Sequence, residues 1–246
     1  MRPLSVERAS LLKAGAIALS FLQLAADRPT IDAIAAGGAT ALSFDLVPRI
    51  SRAQSMDALT SQALVTGYRS ALVGAELLPK FFPLFMTAAG TIPPAKVLVL
   101  GAGVAGLQAI ATAKRLGALV SAYDVREASA DEVKSMGATF ITLELEALEA
   151  SGGYAREMGG ERAARQRELL TPYIAGSDVV ITTAAVPGRR APLLVTSQMV
   201  SEMATGSVVV DLASETGGNV EGSEPGVVQD RDGVRVWGGR DVASEM

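Results

Sequence analysis

Neither cysteine nor histidine occurs in the 246 residues of this chain. Without thiols there is no disulfide framework, no thiolate zinc site and no cysteine nucleophile. Without imidazole any metal would be held by oxygen alone, and no carboxylate cluster in the sequence suggests such a site. The missing histidine also removes the commonest general acid–base group, which constrains mechanism more than any other feature of the composition. Positive charge is not in excess. Lys and Arg total 22 against 26 Asp and Glu, a net charge of −4 that argues against nucleic acid as a partner. The N-terminus lacks the charged region, apolar core and small-residue cleavage site of a secretory signal. The longest candidate membrane segment, Val97 to Ala113, is uncharged for only 17 residues and carries three glycines. A span needs about 20 apolar residues, so a buried core segment is the better reading and a cytoplasmic location is expected. The 49% hydrophobic and 20% charged content is an ordinary globular balance, and the length suits one large or two modest domains.

The chain is organised around VLVLGAGVAGLQAIATAKRLGALVSAYDVR, Val97 to Arg126. Val97 to Leu100 reads as a buried strand, Val104 to Leu116 as a helix and Leu119 to Tyr123 as a second strand ending at Asp124. Between strand and helix, Gly101, Gly103 and Gly106 spell G-x-G-x-x-G, and the acid follows the first glycine at about the 20 residues of a dinucleotide fold. Each residue type has a mechanical reason. Gly101 permits the tight turn, Gly103 lets backbone approach a pyrophosphate, and Gly106 allows close helix–strand packing. The pyrophosphate would lie on free N–H groups at the helix start, around Val104 and Ala105. Asp124 would accept hydrogen bonds from the adenine ribose and repel a 2′-phosphate, favouring NAD(H). Arg126, beyond Val125, leaves the preference open, because a guanidinium there could host that phosphate.

Upstream, Ser5 to Lys13 and a short segment through Ala36 read as helices, and Ala16 to Leu22 and Thr40 to Phe44 as strands. These strands are too few to close a sheet of their own; they belong to a larger domain or join a sheet elsewhere. PRISRAQSMD, Pro48 to Asp57, reads as a solvated connector with Ser51 or Ser55 capping the next helix. That helix, about Met56 to Leu78, carries Leu59, Ala63, Gly67, Ala71 and Ala75 at i+4 steps, a small-residue stripe suited to close domain or subunit packing. Pro79 should end it, and Thr87 to Pro94 reads as a linker. Downstream, helices are expected over 127–136, 161–175 and 196–203, and strands over 139–143, 178–182, 207–212 and 234–237. The alternation predicts an α/β fold, a doubly wound parallel sheet of Rossmann type over 91–240. Residues 1–55 form part of a second α/β domain, 56–90 the connecting helix and linker, and 241–246 a C-terminal remnant. In such sheets ligands lie at the strands' carboxyl ends, which places Gly101–Gly106, Asp124, Thr183–Val186 and Ala213–Asn219 on one edge. The glycine-flanked Tyr154 loop, Ser151 to Gly160, reads equally as a lid or an ordinary surface loop.

At PRISRAQSMD and TAAGTIPPAKVLVLGAGVAGLQAIATAKRLGA the chain resembles the NAD(H)-binding domain of proton-translocating NAD(P) transhydrogenase alpha subunits, relatives of alanine dehydrogenase. The likeness extends to GGYAREMG, ITTAAVPGRRAP and VVVDLASETGGN. It implies that the R-x-x-x-x-Q-x-x-D segment covers the nicotinamide end of bound NAD(H). Arg49 and Asp57 would hold the ribose and carboxamide region, and Gln54 would bridge to the second nucleotide. Thr60 and Tyr68 match further nucleotide-side positions, Tyr154 a mobile loop that closes over NAD(H), and Thr183, Ala184 and Ala185 the lining of the nicotinamide ribose.

The resemblance further implies hydride transfer from NADH to NADP+ carried on a partner, the NADP(H)-binding domain of the beta subunit. A membrane subunit would supply proton coupling and hold the chain peripherally at the cytoplasmic membrane, and a homodimer is expected. Relative to the family pattern an N-terminal α/β section and a closing segment are missing, Gly239–Ser244 diverges, and Pro79 is unusual. Two alternatives remain. An alanine dehydrogenase is disfavoured by Gln23 where the relative has histidine and by the absence of a matching catalytic lysine. A truncated copy could serve as a non-catalytic nucleotide-binding module. Histidine-free chemistry suits direct exchange between nicotinamides, because no proton joins or leaves the reacting carbons.

Overall fold

The computed structural model describes residues 4–22, 27–144, 160–186 and 189–246. It divides into two compact units, Met1–Ala63 with Ala243–Met246, and Leu64–Val242.

In the first unit a short helix α1 (Val6–Ala9) starts at Ser5, whose hydroxyl accepts from Arg8 N at 3.4 Å. Strand β1 (Ile17–Ser20) follows, then helix α2 (Arg28–Ala36) and strand β2 (Thr40–Ser43). Asp27 caps α2 by accepting from Thr30 N at 3.3 Å and Thr30 Oγ1 at 2.6 Å. β1 and β2 pair with each other in parallel, Ile17 against Thr40 through Ser20 against Ser43, rather than adding to another sheet. A small core of Ala9, Leu22 and Ile34 lies on one side. Ile17, Leu19 and Leu42 stay 70%, 59% and 51% exposed, so this two-stranded sheet covers only part of its apolar surface.

The division between units falls within helix α3 (Ala58–Leu77). Its last residue precedes Leu78-Pro79, as the proline requires. The stretch expected to be a linker is instead a hairpin of β3 (Phe85–Thr87) and β4 (Gly90–Ile92), with Phe85 opposite Ile92. Its turn is self-supporting, because Thr87 Oγ1 accepts from Ala89 N at 3.2 Å.

The second unit is built on seven strands in the order β10-β11-β9-β8-β5-β6-β7. In chain order these are β5 (Lys96–Leu100), β6 (Leu119–Tyr123), β7 (Thr139–Phe140), β8 (Val179–Thr182), β9 (Val208–Asp211), β10 (Val228–Arg231) and β11 (Val234–Gly238). All neighbours are parallel except β10, which runs antiparallel to β11 at one edge. Helices α4 (Val104–Arg115), α5 (Ser129–Ser135), α6 (Gly160–Ala175) and α7 (Ser197–Ser201) connect them. Val97 and Val99 enter one buried cluster with α3 and α4, while Leu98 and Leu100 enter another with Leu170, Ile174 and Met199. Both faces are covered, which is why the strands read as continuous apolar runs. Strand β10 was not expected. It is joined to β11 by Asp232-Gly233, both at positive φ (54° and 85°), the signature of a two-residue hairpin turn.

The small-residue stripe of α3 has its use inside the second unit. A Cβ placed on Gly67 would lie 2.0 Å from the backbone oxygen of Ala105, and one on Gly74 would lie 3.0 Å from Val179 Cγ1. The helix therefore sits directly on the first turn of α4 and on the sheet. Gly67→Ala should lower stability by about 1–3 kcal/mol through overpacking, although helix propensity alone favours alanine by about 1 kcal/mol. Urea unfolding decides between the two, and an unchanged or raised midpoint would mean the helices are not in such close contact.

Candidate nucleotide site

From β5 the chain winds outward to β6 and β7, then returns to place β8 on the other side of β5. The crevice at that switch of direction, outside the carboxyl ends of β5 and β8, is where doubly wound sheets take ligands. Gly101 leaves β5 with φ +105°, a conformation that only glycine adopts readily. Its N–H donates to Tyr123 O at 2.8 Å, and its own carbonyl accepts from Thr183 Oγ1 at 3.0 Å. A Cβ on Gly106 would meet that same carbonyl at 1.9 Å, so the start of α4 lies against the turn.

Gly103 differs. It is exposed, and a Cβ built there meets nothing within 4 Å. It is also the N-cap of α4, and no side chain caps the helix. The start of a 12-residue helix thus faces open space, with Val104 exposed and Ala105 half-buried in its first turn. Free N–H groups in such a position suit an anion, and a pyrophosphate fits that arrangement.

Asp124 follows β6 and is tightly held. Oδ2 accepts from Ala102 N at 2.7 Å and Oδ1 from Arg126 N at 2.9 Å. The Arg126 guanidinium reaches the same carboxylate, Nε to Oδ1 at 3.1 Å and Nη2 to Oδ2 at 3.3 Å, and this pairing holds the guanidinium firmly charged. Val125 between them turns inward against the second buried cluster. Behind the acid, the buried Tyr123 hydroxyl accepts from Gln166 Nε2 at 3.1 Å, and burial pushes its pKa up.

The segment after β8 is fastened at both ends. Thr183 is bonded to the glycine turn, and Ala184 O accepts from Asn219 Nδ2 at 2.8 Å, while Ala185 points outward, exposed. Asn219 belongs to a buried network that sequence reading missed. Asp211, fully buried at the end of β9, accepts from Thr182 Oγ1 and the backbone N–H groups of Ala213 and Asn219 on one oxygen. Val220 N and Ser223 Oγ donate to the other. Five donors make a buried carboxylate tolerable where an unpaired one would not be. The acid closing an otherwise apolar VVVD strand was the signal available in the sequence.

Tyr68 lies on α3 in the same unit, 37% exposed. Arg49, Gln54, Asp57 and Thr60 belong to the first unit. Arg49 and Gln54 are exposed, Gln54 within the 3-10 turn Ser51–Met56. Asp57 caps α3, accepting from Thr60 N at 2.9 Å and Thr60 Oγ1 at 2.7 Å. The cap is therefore Asp57, not Ser51 or Ser55, because only a side chain at the residue preceding Ala58 can reach the N–H of the third helical residue. The Thr60 bonds hold the Asp57 carboxyl below the usual carboxylate range, with the Arg49 charge adding to the effect. Tyr154 and Gln23 lie outside the described residues. Among the described residues no group of three or more acids could hold a metal, and no helix is long and apolar enough to cross a membrane.

The model of the alanine dehydrogenase/PNT C-terminal domain matches residues 70–246, and that of the N-terminal domain matches residues 1–66. The chain belongs to the alanine dehydrogenase/PNT family. Within it, the chain is 48% identical over 252 residues to an NAD(P) transhydrogenase alpha-subunit polypeptide of Rhodospirillum rubrum, spanning 100% of this chain and 66% of that protein. A crystal structure of transhydrogenase from Sinorhizobium meliloti superposes with a TM-score of 0.88 at 47% identity, over 99% of this chain and 66% of the other. An L-alanine dehydrogenase structure superposes with a TM-score of 0.73 at 25% identity, over 99% and 65%. The chain thus spans just under two thirds of the length of these family members.

Asp57 gives a test of the cap. Asp57→Ala should cost about 1 kcal/mol of stability and Asp57→Asn much less. Because the native carboxyl is depressed, the wild-type advantage over alanine is full above the ordinary value of 3.8 and is lost as pH falls through the lowered native value. Chemical unfolding of the three proteins between pH 7 and pH 3 measures it.

Proposed function

We propose that this chain is the NAD(H)-binding component of a proton-translocating NAD(P) transhydrogenase. The observation that carries the reading is the open, uncapped start of α4 at Gly103 beside Asp124, in a chain 48% identical to a transhydrogenase alpha subunit. Alanine dehydrogenases are less similar, at 33% identity over 221 residues, and their reaction needs a proton donor that a histidine-free chain supplies less readily.

In this reading Gly101 makes the turn, Gly103, Val104, Ala105 and Gly106 present backbone N–H groups to the pyrophosphate, and Asp124 with Val125 and Arg126 addresses the adenine ribose. Thr183, Ala184 and Ala185 line the nicotinamide ribose, held in place by the Gly101 and Asn219 bonds. By the family resemblance, Arg49 and Asp57 serve the nicotinamide end, Thr60 and Tyr68 are further nucleotide-side positions, and Tyr154 matches the tyrosine of a loop that closes over NAD(H) in the family. Gln54 reaches toward the second nucleotide. When bound, NADH supplies a hydride from C4, received at C4 of NADP+ on the NADP(H)-binding domain of a beta subunit. No proton is taken up or released at the reacting carbons, so the chain's residues serve to align the ring and keep water away. Proton coupling falls to a membrane subunit, through which the chain, as a homodimer, would sit peripherally on the cytoplasmic face.

The chain alone should bind NADH and turn nothing over, and adding a purified NADP-binding partner domain should give transfer between nucleotide analogues. Calorimetry and absorbance assays test both steps; bound NADH with no transfer to a loaded partner, or turnover dependent on alanine or pyruvate, would overturn the proposal. Asp124→Ala should weaken NADH binding by about tenfold or more, the scale of a lost hydrogen bond to a charged group, and narrow the gap to NADPH. Gln54→Ala should slow transfer more than it weakens binding. A pure binding loss would assign Gln54 to ground-state contacts instead.

A further inference from the structure

A carboxylate offers four lone-pair directions, two on each oxygen. At Asp124 main-chain donors fill two of them, Ala102 N on Oδ2 and Arg126 N on Oδ1, and these fix the orientation of the group. The outer two are filled by the Arg126 side chain, Nε on Oδ1 at 3.1 Å and Nη2 on Oδ2 at 3.3 Å, with Nη2 also reaching Ala102 O at 3.4 Å. The guanidinium lies over the acid, with side-chain exposure of 27% for Arg126 and 8% for Asp124. The two hydroxyls of an adenine ribose would donate into the same outer directions. Four donors on four directions leave none for the ribose.

We propose that Arg126 is a specificity-determining residue, an internal occupant of the ribose-recognising carboxylate that NADH has to turn aside. This rests on the assignment of Asp124 to the adenine ribose. Two opposite effects follow from one side chain. For NADH, the ribose hydroxyls replace a charge-assisted pair, so part of their binding free energy goes into displacement. For NADPH, the acid masked by its own counter-ion no longer repels the 2′-phosphate at full strength. The guanidinium, tethered two residues from the acid, can pair with that phosphate. Arg126 therefore narrows a discrimination between the two coenzymes that Asp124 alone would enforce strongly.

The test is isothermal titration of the 246-residue chain with NADH and NADPH, comparing wild type with Arg126→Ala and Arg126→Met. Methionine keeps much of the stem without the donors, and circular dichroism melts verify that each variant is folded. Both variants should bind NADH more tightly, by up to about fivefold, the scale of a partly exposed ion pair. Both should bind NADPH more weakly, so the ratio of the two dissociation constants widens. A merely structural role would move both affinities in one direction and leave the ratio alone. Weaker NADH binding in both folded variants, or an unchanged ratio, overturns the inference. Failure of the underlying assignment looks different. There, Asp124→Asn leaves NADH affinity unchanged, or the wild-type chain binds neither coenzyme.

Discussion

Three backbones meet where one would ordinarily expect side chains, and much of the second unit is arranged around that contact. The carbonyl of Gly101 stands where a Cβ of Gly106 would be, and the carbonyl of Ala105 where a Cβ of Gly67 would be. The end of β5, the first turn of α4 and the middle of α3 are thus stacked with no side chain between them. Such packing admits little adjustment, because protein interiors are close-packed and backbone cannot swing away as a long side chain can. The Thr183 hydroxyl then ties the strand on the other side of the crevice to the same Gly101 carbonyl. The helix start is held rigidly against the sheet, and Gly103 is left as the open position.

What the sequence displayed and what it hid divide along a physical line. Continuous apolar runs bounded by glycine gave the central strands to within a residue or two, because a strand buried on both faces has to be apolar throughout. The glycine spacing marked the turn for the same steric reason that shapes it. The β10–β11 hairpin carries only one local mark, Asp232-Gly233 at its turn. β10, Val228–Arg231, carries a glutamine, an aspartate and an arginine, and so lacks the apolar alternation used to find the others. The hairpin turning at Thr87–Gly90 reads in sequence as a linker because three-residue strands show no periodicity.

The interactions around the candidate site were harder to read, since they join residues far apart in the chain. Asp211 falls within the expected strand 207–212, and an acid in an apolar run does not say that donors as distant as Thr182 and Ser223 converge on it. Asn219 likewise joins the carbonyls of Ala184 and Pro192, fixing a loop well upstream in sequence. A pattern search finds periodicity and spacing, but a hydrogen-bond network of this sort has neither. Asp57 illustrates the opposite limit. Local chemistry identifies it as a helix cap, and only the family resemblance suggests that the same carboxylate also faces a nucleotide. A capping carboxylate donates nothing and retains lone pairs beyond the two bonds to Thr60, so the two roles are chemically compatible.

The lack of histidine gains its meaning from this scaffold. An enzyme that reduces a carbonyl or imine must deliver a proton at the reacting atom, so its site carries an ionisable group tuned to donate it. A transfer between two nicotinamides needs no such group, and its rate depends on how closely the two rings are brought together and how dry the contact is. There a rigid backbone cradle is the relevant asset, because distance and orientation set the barrier while no proton has to move. The described side chains around the glycine turn are consistent with that requirement. Thr183, Ala184 and Ala185 offer hydroxyl and backbone groups, and Asp124 is committed to hydrogen bonding at the end of β6. On the proposed reading, main-chain contacts position the coenzyme and one acid recognises its ribose, and the acceptor of the hydride is supplied by another protein.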